Sequence, residues 1–162
     1  MEIAQPVELA RGGFSTSGLD DHLSVVAEEV SRLRHVWDEE SYIRLIRSLN
    51  AVLEALRVEY YTPNLAIVLG NLSPLRLWEA EISSEELSTI LRSLARAKVL
   101  MGDRELNEAR SCVVYLLTRL LENPYVAERL VNYVESLASS SEEKLKALLN
   151  LAVLAIVLAT NP

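Results

Sequence analysis

Two neighbouring stretches of the chain repeat apolar residues at alternating spacings of four and three. They occupy residues 19–37 and 39–60, and each contains six apolar residues in this spacing. The spacing puts the apolar side chains on one face of an α-helix. Asp38, between the two stretches, is a residue type that caps helix N-termini. The sequence therefore predicts two antiparallel helices that pack through these faces.

Capping signals mark the helices in the rest of the chain. Asn123 precedes a proline at the first helical position. Ser83 and Ser140 are each followed three residues later by a glutamate, which is the spacing of a capping box. Gly102 is a residue type that ends helices in a left-handed conformation. The further helices are predicted at 63–70, 74–80, 84–101, 104–122, 124–138 and 141–159.

The predicted fold class is all-α, a single-domain multi-helix bundle. Half of the 162 residues are hydrophobic, whereas Gly and Pro number only five each, and no segment has a convincing strand pattern. Residues 1–18 contain three of the five glycines and are predicted to form an irregular N-terminal arm. Residues 19–162 then form one helical domain, long enough to bury a core without disulfides or a metal.

The helical domain also contains a candidate internal repeat. Residues 62–66 match residues 123–127 in pattern, and a second matching pair lies further along the chain. The matches predict two stacked three-helix units, 39–101 and 104–159, preceded by the first helix. Leucine-rich helices also align by chance, so a chance match stays open as the alternative to a true repeat. A true repeat would favour a scaffold, because each such unit needs a neighbour to cover its apolar face.

The C-terminal run 147–160 has 14 residues and no charge. A membrane-spanning helix needs about 20 apolar residues, so we predict a central core helix, with a tail anchor or an oligomer contact as the alternative. The N-terminus lacks a secretory signal. We therefore expect a cytoplasmic protein that does not enter a membrane.

Residues for catalysis or metal binding are few. The single cysteine, Cys112, lies among apolar residues within a predicted helix, where a thiol is inert. His22 and His35 are 13 residues apart on one predicted helix, about 140° apart around its axis. The sequence has no nucleotide-binding or metalloprotease motif. We predict no catalytic residue, no metal site and no cofactor, and therefore not an enzyme.

Six basic residues form a candidate nucleic-acid-binding set. The chain has 16 basic and 23 acidic residues, and its net charge of −7 disfavours broad binding to nucleic acid. An excess of arginine over lysine also suits a thermophile, and an ordinary solvated surface explains the same residues. The set is Arg47, Arg92, Arg96, Lys98, Arg110 and Arg129.

A second candidate surface is the apolar segment 71–78, which includes most of the short predicted helix 74–80. Trp and Arg are enriched at interaction hot spots, so the segment is a candidate partner-binding site. A lid over the core is the alternative. The candidate residues are Leu72, Leu75, Arg76, Leu77 and Trp78.

These observations favour a non-catalytic interaction or assembly subunit that binds a protein partner or itself. The first alternative is a nucleic-acid-contacting small subunit of a ribonucleoprotein effector, although nucleic acid is not the favoured partner. In size and class the chain is similar to the small all-helical subunits of archaeal CRISPR effector complexes, but no residue pattern can be transferred. A helical enzyme or a small-ligand-binding bundle is the third alternative.

Overall fold

The computed structural model describes residues 16–58 and 75–161. Six α-helices contain 81% of these residues, and no strand occurs among them, which confirms the predicted all-α bundle. The predicted helix 63–70 lies outside the described residues. The six helices are α1 (Thr16–His35), α2 (Glu39–Ala55), α3 (Ser84–Leu100), α4 (Asp103–Leu121), α5 (Pro124–Ser136) and α6 (Ser141–Thr160).

Helices α1 and α2 form the predicted antiparallel pair. Asp38 caps α2, since its Oδ1 accepts a hydrogen bond from the Ser41 amide over 2.9 Å. The predicted apolar faces are buried, with Leu23 and Val30 on α1 and Leu49 on α2 inside the core. These helices bury their apolar faces against each other and against the rest of the bundle.

Helix α2 ends at Ala55, five residues before the predicted end at residue 60. Arg57 takes a left-handed conformation with φ of 59°. The Val58 amide donates to the Leu53 carbonyl over 2.8 Å, which closes the end as a Schellman motif. The apolar spacing of the sequence continues to residue 60, but the helix ends at Ala55.

Helix α6 is the central element, as its apolar sequence predicts. It packs against α2, α3, α4 and α5. Leu148, Leu151, Val153 and Ile156 are buried as predicted, whereas Leu158 is only half-buried. Among residues 16–58 and 75–161, no helix combines the length and the apolar character needed to cross a membrane.

The C-terminal end of α6 is held by donors from distant parts of the chain. The last four carbonyls of a helix have no partner within it. In α6, three donors from distant residues reach these carbonyls over 2.9–3.2 Å, and the Asn161 amide donates to the fourth, that of Leu158. The distant pairs are the Trp37 indole with the Thr160 carbonyl, the Tyr42 hydroxyl with that of Val157, and the Leu77 amide with that of Ala159.

Several helix ends differ from the predicted ones. Helix α1 begins at Thr16, so residues 16–18 are helical and do not belong to the predicted irregular arm. At the end of α3, Met101 takes the left-handed conformation with φ of 54°, not Gly102. Gly102 is instead the extended N-cap of α4, with φ of −84°. The turn between these helices therefore lies one residue earlier than the glycine indicates.

The predicted serine capping signals are both present, and one of them differs in detail. Ser83 and Glu86 form a complete capping box, with hydrogen bonds of 3.1 Å in both directions. Ser140 accepts from the Glu143 amide over 3.2 Å, but the Glu143 carboxylate accepts from the Ser139 amide. The box at α6 is thus shifted by one residue. The internal repeat stays a prediction, because residues 59–74 within its first unit lie outside the described part of the chain.

Candidate functional site

The six candidate basic residues lie on four helices: Arg47 on α2, three of them on α3, Arg110 on α4 and Arg129 on α5. Lys98 contacts Glu142 at the start of α6, with 3.6 Å between Nζ and Oε2. Arg92 forms an ion pair with Asp20 on α1. Two of the three basic side chains of α3 are thus directed towards two different helices.

Arg110 is partly enclosed and pairs with two carboxylates. Its guanidinium lies 3.0 Å from a Glu135 oxygen and 3.2 Å from a Glu128 oxygen, both on α5. Burial opposes the charged form of Arg110, but the hydrogen bonds and charges of the two glutamates outweigh it and raise the pKa above its ordinary value. Arg110 therefore joins α4 to α5 and is not available to a phosphate.

Arg47 and Arg96 are exposed, and no residue in the described ranges pairs with either. They lie on different helices, α2 and α3, which are not among the helix pairs in substantial contact in the described chain. Half of the basic set is thus neutralised by carboxylates of the same chain, and the described contacts do not gather the other half.

The described part of the segment 71–78, residues 75–78, packs on the core. Leu72 lies outside the described residues. Leu77 is 1% exposed, and Leu75 and Trp78 are half-buried against the core. Residues 77–81 form a turn, not the predicted helix, and the Leu75 amide donates to the Leu120 carbonyl over 2.8 Å. Together with the bond from Leu77 to α6, these contacts hold residues 75–81, which we call the lid, against the core. Leu77 is buried there, and a partner-binding role of the segment stays a prediction.

The backbone N–H of Arg76 also has a partner within this lid, since it donates a hydrogen bond to Glu79 Oε1 over 2.9 Å. The Arg119 guanidinium of α4 donates to the carbonyls of Ala80 and Glu81. The lid is therefore fixed from both sides, by its own amides and by a side chain of α4.

A row of exposed side chains on α5 is the clearest candidate for a contact surface. The row consists of Tyr125, Arg129 and Tyr133 on α5 and of Leu137, the C-terminal capping residue of the helix. They are spaced four residues apart, so they form one continuous ridge. Tyr125 is 68% exposed, Tyr133 47% and Leu137 66%. We call these four residues the α5 ridge. The opposite side of α5 is buried and consists of Ala127, Leu130, Val131 and Val134.

The first half of the α5 ridge is ordered by its own contacts. The Arg129 guanidinium carbon lies 5.6 Å from the centre of the Tyr125 ring, and Nη1 lies 3.4 Å from the tyrosine oxygen. A guanidinium over an aromatic face is attracted by the ring's negative charge density. The arginine is thus held along the ridge in one orientation.

Tyr115 is an exposed aromatic residue of a different kind. Its hydroxyl donates to Glu86, and it accepts from Arg119 over 2.7 Å. The hydrogen bond from Tyr115 lowers the pKa of Glu86 and raises the pKa of Tyr115. Tyr115 therefore connects α4 to the capping box of α3, whereas no such contact engages Tyr133 among the described residues.

The sequence analysis missed the α5 ridge and considered only Arg129. The signal was present, since two tyrosines and an arginine at four-residue spacing fall on the side of α5 opposite its buried aliphatic residues. It also missed Glu29, whose side chain is 3% exposed between α1 and α2. One Glu29 oxygen lies 3.1 Å from Arg44 Nε and raises the pKa of that arginine. The other oxygen is buried without a partner among the described residues.

An open groove of about 780 Å³ lies along α2. Its lining combines four apolar residues with three polar ones, and it extends to Val58, the last described residue before 59–74. Within the described residues, no cluster of three or more His, Cys, Asp or Glu side chains could hold a metal ion. The groove is lined by Ile46, Asn50, Leu53, Glu54, Arg57, Val58 and Val157.

Comparisons of the chain with protein-family models, with curated proteins and with solved structures give no match.

Proposed function

We propose that this chain is a non-catalytic interaction or assembly subunit and that the α5 ridge is its contact surface. The observation that carries the proposal is the ridge itself, in which two tyrosines, an arginine and a leucine lie in line and exposed. Tyrosine and arginine dominate the energetics of protein interfaces. Exposed apolar residues that are contiguous, and not scattered singly, are typical of interaction sites.

The charges around the ridge favour a protein partner over nucleic acid. Arg129 is the one basic residue in the ridge, while Glu122, Glu128 and Glu135 lie beside it on the same part of the chain. Arg110 neutralises two of these glutamates in part and has no charge to spare. A phosphate backbone requires several basic residues that converge, and this face does not supply them.

A photocrosslinking experiment in the native host tests the proposal. A benzophenone amino acid replaces Tyr133 in one version of the chain and Ile43, which is 39% exposed on α2, in the control version. We expect discrete protein adducts from position 133 and none from position 43. Adducts to nucleic acid, equal adducts from both positions, or no adduct at all would each contradict the proposal.

A binding assay tests the nucleic-acid alternative directly. Phosphate contacts on single strands give a log–log salt slope of about −0.7 per contact. We expect no salt-sensitive binding of a labelled oligonucleotide by the purified chain near physiological salt. Binding that is lost in an Arg47→Glu/Arg96→Glu variant would favour the ribonucleoprotein subunit instead, because these two arginines have no described partner that the substitutions would disturb.

A further inference from the structure

We propose that the partner of the α5 ridge is a second copy of this chain, bound through an antiparallel pairing of the two α5 helices. The two-fold axis passes through the helix pair at the level of Val131, the midpoint of the ridge. This inference rests on the proposed function, because it names the partner of the same surface.

The order of residues along the ridge makes it complementary to itself when it is reversed. An antiparallel pairing centred on residue 131 places Tyr125 beside Leu137 of the second copy and Arg129 beside Tyr133 of the second copy. The two-fold symmetry repeats both contacts. One pair joins two apolar surfaces, and the other joins a guanidinium to an aromatic ring. All four ridge residues therefore gain a chemically suitable neighbour.

The other orientation lacks this complementarity. A parallel pairing in register would place Arg129 against Arg129 of the second copy, and like charges in contact are unfavourable. In the antiparallel pairing, Arg129 can lie between Tyr125 of its own chain, where its guanidinium already is, and Tyr133 of the second copy. Because the arginine is already ordered, less side-chain entropy is lost on binding.

The charges beside the ridge are compatible with contact between two copies. Each chain has a net charge of −7, so two copies repel each other at long range. Next to the ridge, however, Glu128 and Glu135 lie 3.2 and 3.0 Å from the Arg110 guanidinium of the same chain. This internal pairing reduces the acidic charge where the two copies would approach most closely.

The size of the surface predicts a weak dimer. Helix α5 has 13 residues and is about 20 Å long. A contact through one such ridge is smaller than the ~1,600 Å² of a standard protein–protein interface. We therefore expect a dissociation constant in the micromolar range, well above the nanomolar values of larger interfaces.

Sedimentation of the purified full chain over a range of concentrations tests the pairing. We expect a reversible dimer whose dissociation constant rises at least about tenfold in Tyr133→Arg, which brings two arginines together at each symmetric contact. The double variant Arg129→Tyr/Tyr133→Arg exchanges the two partners and should restore the dimer. A wild-type chain that stays monomeric, or an exchange that fails to restore dimerisation, would overturn the inference. Thermal unfolding of each variant verifies that it is folded.

Disulfide trapping tests the orientation. Tyr125→Cys and Leu137→Cys variants are prepared separately with Cys112→Ser and then mixed under mild oxidation. Residues 125 and 137 are 12 positions apart, about 18 Å along the helix, far beyond the Cα separation of about 4.4–6.8 Å that a disulfide allows. We expect crosslinked dimer in the mixture and none in either variant alone. Crosslinking of each variant to itself would show a parallel pairing, and no crosslinking in any sample would also contradict the inference.

The two proposals fail in distinguishable ways. If the purified chain is monomeric while position 133 crosslinks to a different protein in the host, self-pairing is wrong and the interaction-subunit proposal stands. If position 133 gives no protein adduct and the chain is monomeric, both proposals are wrong.

Discussion

The last two helices of the chain, α5 and α6, differ in how many of their sides are covered. Helix α6 packs against four other helices and buries residues around its whole circumference, including a stretch of nine consecutive residues, 148–156. Helix α5 packs against α4 and α6 and buries one side only. Tyr125, Tyr133 and Leu137 lie on its other side in solvent.

This difference shows that apolar character has two roles in the same bundle. In α6 every apolar side chain has a neighbour, and distant donors also satisfy the carbonyls of its last turn. In α5 four aliphatic residues fill the buried side, whereas the large side chains on the outer side lie in solvent. Substitutions should therefore affect stability in α6 and association in α5.

The largest expected effect comes from truncating the central helix. Leu151 is fully buried in α6, and Leu151→Ala should lower the free energy of unfolding by about 2–5 kcal/mol, because it leaves a cavity as well as losing apolar burial. Leu137→Ala removes the same atoms from the α5 ridge and should change stability by no more than about 0.5 kcal/mol. Chemical denaturation of the two variants at equal, low concentration compares them directly. Equal losses in both would show that α5 is covered within the monomer.

A smaller effect is expected at the C-terminal end of α6. Trp37→Phe removes the indole N–H that reaches the Thr160 carbonyl, at a residue that is fully buried. Loss of a partner for a buried acceptor costs about 1–3 kcal/mol. The other tryptophan, Trp78, is half-buried and makes no side-chain hydrogen bond among the described residues. Trp78→Phe is therefore the matched control, and it should lower the free energy of unfolding by less, as measured by thermal or chemical denaturation. If both variants lose the same stability, the Trp37 hydrogen bond does not contribute to it.

The contrast between these helices could be predicted from the sequence only in part. The spacing in 19–37 and 39–60, the uncharged run 147–160 and the caps at Ser83 and Asn123 are local signals, and the structure confirms the helices that they predict. Local signals could not place the left-handed turn on Met101 beside an available glycine. Tertiary packing decides such choices, because the chain must enter the next helix in a fixed direction.

Contacts between residues far apart in the sequence could not be predicted for the candidate site. Arg92 has no acidic residue one helical turn away, yet it pairs with Asp20, 72 positions earlier. Leu77 and Tyr133 each follow a polar residue and precede an apolar one, but Leu77 lies in the core and Tyr133 in solvent. Which side of a helix is covered depends on how helices are rotated against each other, and the apolar spacing leaves that rotation open.

The N-termini of α5 and α6 should respond differently to acid. Glu143 accepts hydrogen bonds from the Ser139 amide and hydroxyl, and these bonds lower its pKa below the ordinary value of 4.5. A lowered pKa in the folded state means that the stabilisation is complete above pH 4.5 and is lost as the pH falls through the folded-state pKa. The N-cap of α5 is the uncharged Asn123, whose side chain accepts hydrogen bonds from the amides of Tyr125 and Val126 at any pH.

Glu143→Gln isolates this effect. We expect the variant to be less stable than the wild type at pH 6 and the difference to shrink as the pH falls below 4.5. The difference should vanish only below the lowered folded-state pKa, where the wild-type carboxylate is protonated in the folded chain as well. Urea denaturation at several pH values measures the difference. Asn123→Asp is the converse variant and should make the α5 cap acid-sensitive. A stability difference for Glu143→Gln that is independent of pH would rule out the carboxylate as the source.

The smallest expected effect concerns the turn that leads into α5. Glu122 ends α4 with φ of 56°, a left-handed conformation that is unfavourable for a residue with a Cβ. Glycine adopts this conformation freely but loses more backbone entropy on folding. Glu122→Gly should therefore raise the free energy of unfolding by only about 0.5 kcal/mol, because the relief of the unfavourable φ is partly offset by the backbone entropy that glycine loses on folding.

A second glycine substitution on the same helix gives the opposite sign. Glu108 is exposed in the interior of α4, and no residue of the described ranges pairs with its side chain. Glu108→Gly should lower stability by about 1 kcal/mol, because glycine is a poor helix former. Both variants remove one negative charge, so their charge effects are similar and the difference in sign reports the backbone conformation. If both variants lose stability equally, the left-handed conformation of Glu122 does not destabilise the wild-type protein.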